Sequence, residues 1–462
     1  MKLTFHGGAG EVTGANYLLE SDPSTGSGQV TRIMIDCGLH QGTHFCEKHN
    51  WEPFPYDPKS INAVFLTHAH IDHSGRLPKL IKDGFHGTVY STPPTRDFAN
   101  LLLLDSEHML IEAAERFKLP NLYGVREIEE LMANWKGLKY HESVQVGPFK
   151  VTLYNAGHIL GSTSYLVEGP STSSGDTKKI VFSGDLGNSP APIIGPYEMF
   201  KEEDEIDYCV IESAYGNRFH DPIPEGAIED VIEGAVKAGG VLMIPAFAME
   251  RTQKLLFEIN ELVENGRVPR IPIYLDSPLA IKVTEVYKKY PEYFDQETRN
   301  LLKSDNMLFD FPGLHKTLTS DESKSINDAP APKVIIAGSG MSQGGRILHH
   351  EKRYLPDPKS TILFVGYQSK GTLGRQILEG AGSVRIHHET VPVRCRKVVI
   401  EGYSAHADQK QLLEWLYPMR FSLKKVFTVQ GEEEESGALT QKIINDLAIK
   451  AEIPELGKTL TI

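Results

Sequence analysis

Thr67-His68-Ala69-His70-Ile71-Asp72-His73-Ser74-Gly75 decides how this chain is read. It follows Ile61-Asn62-Ala63-Val64-Phe65-Leu66, a run with the length and residue types of a buried strand, and precedes the helix-like Arg76-Leu77-Pro78-Lys79-Leu80-Ile81. Ligand-type side chains therefore fall together on a strand-to-helix turn. Imidazole and carboxylate suit Zn²⁺ or a similar divalent ion, and the spacing can serve two ions. His68 and His70 project one way from extended backbone, while Asp72 and His73 enter the next turn. A solvated strand end accounts for one histidine but not for this group.

Outward from that turn the same arrangement recurs, an apolar strand closed by a ligand-type residue beside glycine. Phe149 to Tyr154 runs into Asn155-Ala156-Gly157-His158, and Ile180-Val181-Phe182 into Ser183-Gly184-Asp185. Together they add a third histidine for one ion and a carboxylate able to bridge two. Upstream, Arg32 to Cys37 reads as a strand ending at Asp36, and on its own that carboxylate reads as a solvent-facing turn residue. The glycine run Gly7 to Gly14 resembles a phosphate loop but leads into the strand Asn16 to Glu20 where that reading needs a helix, so it is a tight connection. Ser21 to Gln29 reads as a hairpin tip, and the Ser/Thr/Gly stretch before Lys179 as a loop. Arg96 to Lys118 reads as an amphipathic helix in which His108 is a packing or surface residue, and Ile206 to Ile211 as a buried strand ending on Glu212.

From about Pro224 the rhythm changes to alternating helix and strand, the pattern of a parallel α/β domain. Two of its strands end in Ser339-Gly340-Met341-Ser342-Gln343-Gly344-Gly345-Arg346 and in Gly366 to Arg375. Glycine turns closed by arginine suit phosphate, through backbone N–H groups and a guanidinium. Ser320 to Pro332 reads as a linker or surface loop. Lys397 to Asp408 then returns to the first style, a strand ending near His406, followed by a helix over Gln409 to Leu416. Lys424 to Val429 leads to Gln430-Gly431-Glu432, and Glu432 to Glu435 reads as a solvated turn and helix start.

Composition bounds the class. A chain of 462 residues exceeds one ordinary core, so two domains, or one with a large insertion, are expected. With 40% hydrophobic and 24% charged residues it is not disordered. No run is apolar enough to span a bilayer and the start lacks a secretion-signal layout, so a cytoplasmic protein with no membrane partner is expected. Cys37, Cys46, Cys209 and Cys395 form no Cys-x-x-Cys pair and read as reduced thiols. The net charge of −13 argues against a general polyanion coat, because free nucleic acid is repelled at long range. It does not argue against a nucleic-acid enzyme, since bound ions and a local basic groove dominate within a Debye length of about 8 Å.

With these residues placed, the chain resembles a metallo-β-lactamase-fold hydrolase, and more narrowly the β-CASP nucleases, the group of the polyadenylation-cleavage endonuclease and RNase J. The likeness covers almost the entire chain. Asp36, the His68 to His73 cluster, His158 and Asp185 match the fold's successive motifs, Glu212 an acidic strand-end motif of the subfamily, and His406 its histidine motif. Ile244 to Arg251 and Ser339-Gly340-Met341 are similar to the β-CASP cap.

The resemblance implies an α/β fold, an αββα sandwich from residues 1–216 and 386–462 with a parallel α/β cap inserted at 217–385. It implies two zinc ions per chain: His68, His70 and His158 on one, Asp72 and His73 on the other, Asp185 bridging, and Gln430 completing the second. Asp36, against its reading in isolation, becomes a carboxylate that orients ligands. Asp72, His406, Glu212 and Asp36 are the expected catalytic residues, and Arg251, Ser339, Gly340, Gly344, Gly345, Arg346 and Arg375 the expected phosphate contacts. The implied reaction is hydrolysis of RNA phosphodiesters by hydroxide shared between the ions, with His406, steadied by Glu212, as general acid. One departure stands out. Members acting on RNA usually carry histidine in a Val-His-Gly-Glu segment where this chain has Val429-Gln430-Gly431-Glu432. An amide oxygen is a weaker, harder ligand than imidazole, so the second ion is expected to be held weakly. Single-stranded RNA is the expected substrate, because Glu212 to Gly216 and Ser339 to Met341 resemble the RNA-processing members, with DNA ranked below it. An ester or thioester hydrolase of the same fold, and an RNA-binding member weakened at Gln430, are the competing readings. Internal against 5′-end cleavage, and a homo-oligomer, are left open.

Overall fold

The computed structural model describes residues 1–22, 29–42, 47–170, 177–303 and 307–462. Cys46, the tip of the expected Ser21 to Gln29 hairpin and most of the loop before Lys179 lie outside the described residues. The chain forms two compact units, residues 1–219 with 406–462, and residues 220–405.

The first unit holds two seven-stranded sheets. One is ordered Thr459–Thr461, Lys2–Gly7, Asn16–Glu20, Arg32–Ile35, Ala63–Phe65, Thr88–Ser91, Trp135–Gly137. The other is ordered Ala451–Glu452, Lys425–Val429, Tyr208–Glu212, Thr177–Phe182, Thr163–Pro170, Phe149–Asn155, Ser143–Val146. Side chains alternate across a strand, and here the alternation sorts residues into two cores. Ile180, Phe182, Val210, Phe427 and Val429 face the cluster of Phe5, Tyr17, Phe65 and Tyr165 between the sheets. Their neighbours Val181, Cys209, Ile211 and Val426 face Leu412, Trp415, Leu439 and Ile443 of the C-terminal helices Gln409–Leu416 and Glu433–Leu447. Such strands, apolar on both faces, read as continuous hydrophobic runs.

Pairing then decides where the strand ends fall. Arg32–Ile35 and Ala63–Phe65 run parallel, as do Thr177–Phe182, Tyr208–Glu212 and Lys425–Val429. Within each parallel set the C-termini share one edge, and the residues at or just beyond them are Asp36, His68, Asp185, Glu212 and Gln430. Ligand sites gather at such edges because side chains from distant parts of the chain emerge there together.

The second unit is built on a six-stranded parallel sheet, Leu314–Lys316, Ile273–Leu275, Lys333–Ala337, Val241–Pro245, Thr361–Val365, Arg396–Ile400. Its core joins Met243, Ile335, Ile362 and Phe364 to Ile347, Leu355 and Ile377. Two expectations are corrected here. Arg396–Ile400 pairs with Thr361–Val365 of this sheet, so this unit runs to Ala405 and not to 385. A short strand does not encode its partner in its own pattern. Ser320–Ser325, expected as loop, is helical and is capped by Thr319, with Glu322 reaching back to the Thr319 N–H at 2.8 Å.

Candidate metal centre

The His68 to His73 turn is fixed from behind by Asp36. The Asp36 backbone takes the left-handed region at φ 59°, which aims its carboxylate at the turn. One oxygen accepts the Thr67 N–H at 2.7 Å, and the other accepts the Thr67 hydroxyl at 2.8 Å and meets His73 Nδ1 at 2.7 Å. Burial raises the Asp36 carboxyl pKa, against the opposing pull of His73 and Thr67. Gly38 is required beside it, since a Cβ there would lie 1.5 Å from the Asp72 carbonyl oxygen.

His158 and Asp185 arrive from the second sheet. The His158 N–H donates to Ser162 Oγ at 3.0 Å, and a side chain at Gly187 would strike the Gly157 carbonyl oxygen, so only glycine lets the two loops touch. His68, His70, His158 and Asp185 bring ligand atoms within 4.8 Å of one another. His68 Nε2 lies 3.0 Å from His70 Nδ1, His158 Nε2 lies 3.3 Å from the same atom, and Asp185 Oδ2 lies 3.4 Å from His68 and 3.6 Å from His158. Burial, with the field of His73, holds the His68 imidazole well below its ordinary pKa, and burial also lowers His70. Burial opposes ionisation of Asp185, yet His73 and His68 hold its carboxyl well below the usual carboxylate range. Neutral imidazoles around an ionised carboxylate are the donor set a Zn²⁺-like ion takes, so these residues fit one such ion.

A second group stands beside it. His406 Nδ1 lies 3.3 Å from Glu212 Oε1 and 3.8 Å from Asp185 Oδ2. Glu212 is buried and anchored by the N–H groups of Leu186, at 2.7 Å, and Ala214, at 3.3 Å. His406 is set by a backbone bridge to Gly187, by the Ala407 N–H donating to Leu186 O, and by Asp408, which caps the helix that follows. Burial pulls the His406 pKa down, but the Glu212 carboxylate, with Asp185 and Asp72, outweighs it and lifts the imidazole to about 9.

Three family descriptions match this chain: a metallo-beta-lactamase superfamily domain over 27–185, a Beta-Casp domain over 252–377, and a Zn-dependent metallo-hydrolase RNA specificity domain over 390–454. The chain is similar to ribonuclease TTHA0252 of Thermus thermophilus, 37% identical with 95% of each chain covered. The chain belongs to the β-CASP family of metallo-β-lactamase-fold proteins. It is also 32% identical to an RNase J-like protein of Methanocaldococcus jannaschii, covering 100% of this chain and 99% of that one. To the transcription termination factor FttA of Methanosarcina mazei it is 32% identical, covering 97% of this chain and 70% of that one. A crystal structure of a protein of unknown function from Enterococcus faecalis V583 shares the fold, with a TM-score of 0.55, 14% identity and coverage of 100% and 99%.

The remaining β-CASP residues fall differently from the sequence reading. Gln430 is buried among His73 and Asp185, with its amide nitrogen facing both. Asp72 Oδ2 lies 3.9 Å from His73 Nε2. The expected phosphate contacts lie in the second unit and are engaged by it. Arg346 donates to buried Asp276 at 2.7 Å and to the carbonyls of Thr317 and Leu318. Arg375 pairs with Glu379 at 2.7 Å, one helical turn on, and buried Arg251 donates to the Val365 carbonyl. Ser339 Oγ accepts the N–H groups of Gln343 and Gly344, so the glycine loop closes on itself, with Gly345 left-handed at φ 75° and Gly340 accepting from Gln368 through its carbonyl. Asp276 is the reason for Arg346: a fully buried carboxylate needs a counter-charge, and this pairing is tertiary.

Sequence reasoning also missed residues. Thr67 holds Asp36 through its N–H and its hydroxyl, and Ser162 holds the His158 N–H through its hydroxyl, contacts that no local pattern marks. Tyr215 stacks on His406 at 6.0 Å between centroids with planes 25° apart. Tyr17 carries a buried hydroxyl without a hydrogen-bond partner among the described residues, close to Gly8, whose carbonyl accepts the Gln430 N–H at 2.7 Å.

Proposed function

We propose that this chain is a metal-dependent ribonuclease that hydrolyses phosphodiester bonds of single-stranded RNA. The observation carrying the reading is the adjacency of a three-histidine, one-carboxylate cluster to the Glu212–His406 pair around a shared Asp185. His68, His70, His158 and Asp185 would hold a divalent ion, of which zinc fits the donor set, and that ion when bound would supply a nucleophile from water near neutral pH and neutralise charge on phosphate oxygens. The chain's own residues do the rest. Asp36 holds His73 and Thr67 in place, and burial favours the neutral form of the His68 and His70 imidazoles. His406 keeps its proton at neutral pH because of Glu212. With Nδ1 turned to Glu212, the proton on Nε2 is the one given to the leaving oxygen. The names of the similar proteins, two of them ribonuclease-like, and the RNA specificity description over 390–454 support RNA over a small ester.

A cytoplasmic location belongs to the same proposal, supported by Cys37, Cys209 and Cys395 as buried free thiols. Among the described residues no helix is long and apolar enough to cross a membrane.

The test is cleavage of single-stranded RNA labelled at either end, with Zn²⁺ or Mn²⁺ added. Wild type is expected to cut and His158→Ala to be inactive. Internal fragments from both labels indicate endonuclease action, and mononucleotides from the 5′ label alone indicate 5′-end action. A protein that turns over a chromogenic ester or thioester and leaves RNA intact is the small-molecule hydrolase instead; DNA in a parallel tube measures sugar selectivity.

A further inference from the structure

We propose that the side-chain amide of Gln430 occupies the position of the second cation, so that the folded chain binds one divalent ion and not two. The inference rests on the reading of the first ion given above and goes beyond it.

Gln430 is delivered to the site as firmly as a ligand would be. It follows Lys425–Val429, whose Val429 is in register with Glu212, so it emerges at the edge that carries the rest of the centre. Its side chain is buried, its backbone is left-handed at φ 54°, and its N–H is tied to the Gly8 carbonyl at 2.7 Å. From there Nε2 reaches 2.7 Å from His73 Nε2 and 2.9 Å from Asp185 Oδ1. Those two atoms, 3.3 Å apart, are donors a second ion would need, with Asp72 Oδ2 at 3.9 Å from the imidazole as the third. An ion takes such atoms at about 2.0–2.2 Å, inside the mouth that the amide already fills.

The amide's orientation follows from its surroundings. Asp185 Oδ1 only accepts hydrogen bonds, and an amide turned the other way would set carbonyl oxygen against carboxylate oxygen at the 2.9 Å separation now made by nitrogen. The NH₂ group therefore faces in. One hydrogen serves Asp185, and the same nitrogen stands 2.7 Å from His73 Nε2, whose partner nitrogen is turned to Asp36. An amide nitrogen has no lone pair for a metal, so it fills the space between the would-be ligands without charge and without coordinating. Asp185 is thereby divided, with Oδ2 toward His68 and His158, where it serves the first ion, and Oδ1 on Gln430. The first site stays whole while the second is filled.

The test is metal content of the purified full chain by mass spectrometry, after saturation with Zn²⁺ and removal of unbound ion, for wild type, Gln430→His, Gln430→Glu and His158→Ala. Wild type is expected to hold one ion per chain. Gln430→His is expected to hold two, and Gln430→Glu, which keeps the shape and adds a carboxylate ligand, also two, so that a folding defect in one variant leaves the other to decide. Two ions on wild type, or one on wild type and on every folded Gln430 variant, overturns the proposal. His158→Ala reads the underlying site separately. If it retains the wild-type ion, or if wild type binds none, the reading of the first site fails and this inference fails with it.

Discussion

At His406, the proposed general acid, one contact sets the protonation state. A general acid must carry its proton, and the Glu212 carboxylate raises the imidazole pKa to about 9 against burial. Turnover is therefore expected to persist through neutral pH and to fall as pH rises past about 9, where the proton is lost. Replacing Glu212 with glutamine removes the charge, lowers the His406 pKa and should move that alkaline limb toward neutrality; a limb that stays put would assign it to another group. His406→Ala is expected to lower kcat by roughly 10²–10⁴-fold with metal content unchanged, and an equal loss of metal would make it a ligand. Residues of this centre were unevenly legible. The His68 to His73 cluster was plain because its ligands are sequence neighbours. Asp36 in isolation read as a turn residue, because the Thr67 and His73 atoms that give it a role are brought to it only by strand pairing.

Elements carry their own signals, and some went unread. Thr319-Ser320-Asp321-Glu322 is a capping box, and it starts the short helix in the stretch that read as loop. The same device was overlooked at Asp408, which accepts the Gln411 N–H at 3.0 Å while Gln411 accepts the Asp408 N–H at 3.0 Å. Because this cap starts Gln409–Leu416 two residues after His406, Asp408→Ala is expected to cost about 1 kcal/mol of stability. It should read as a lower urea midpoint at unchanged slope. What no local pattern offered was the engagement of Arg346 with Asp276, a pairing made by packing. In the helix Ile347–Tyr354, burial pushes the Glu351 carboxyl from its ordinary 4.5 up to about 8, although it accepts the Ser342 hydroxyl. Between those values the unfolded chain has released this proton and the native state keeps it, so stability declines as pH rises from 4.5 toward 8. Glu351→Gln, which cannot ionise, is expected to flatten that decline, gaining a few kcal/mol at pH 8 relative to pH 5 by about 1.4 kcal/mol per unit. Parallel curves for the two proteins would show Glu351 already ionised at neutral pH.

At the scale of the molecule, every residue of the metal centre belongs to the unit of residues 1–219 and 406–462, while the unit of 220–405 has its own sheet and core. The sequence reading found the insertion from the change of strand rhythm but ended it at 385, because Arg396–Ile400 carries no mark of the sheet it joins. This division predicts a selective response to metal removal. An ion that binds the native state alone stabilises it by RT ln(1 + [L]/Kd), about 2.7 kcal/mol when free ion stands at 100 times Kd. The ion would tie together the ends of Ala63–Phe65, Phe149–Asn155 and Thr177–Phe182 and would draw no ligand of this cluster from the six-stranded sheet of the second unit. Chelation should therefore speed amide hydrogen exchange in those strands and leave Ile273–Leu275, Lys333–Ala337 and Val241–Pro245 at their protected rates. In calorimetry the same treatment should lower one transition and spare the other. Equal loss of protection in both sheets would mean that the units unfold as one cooperative body, and the metal's stabilising effect would then be a property of the entire chain.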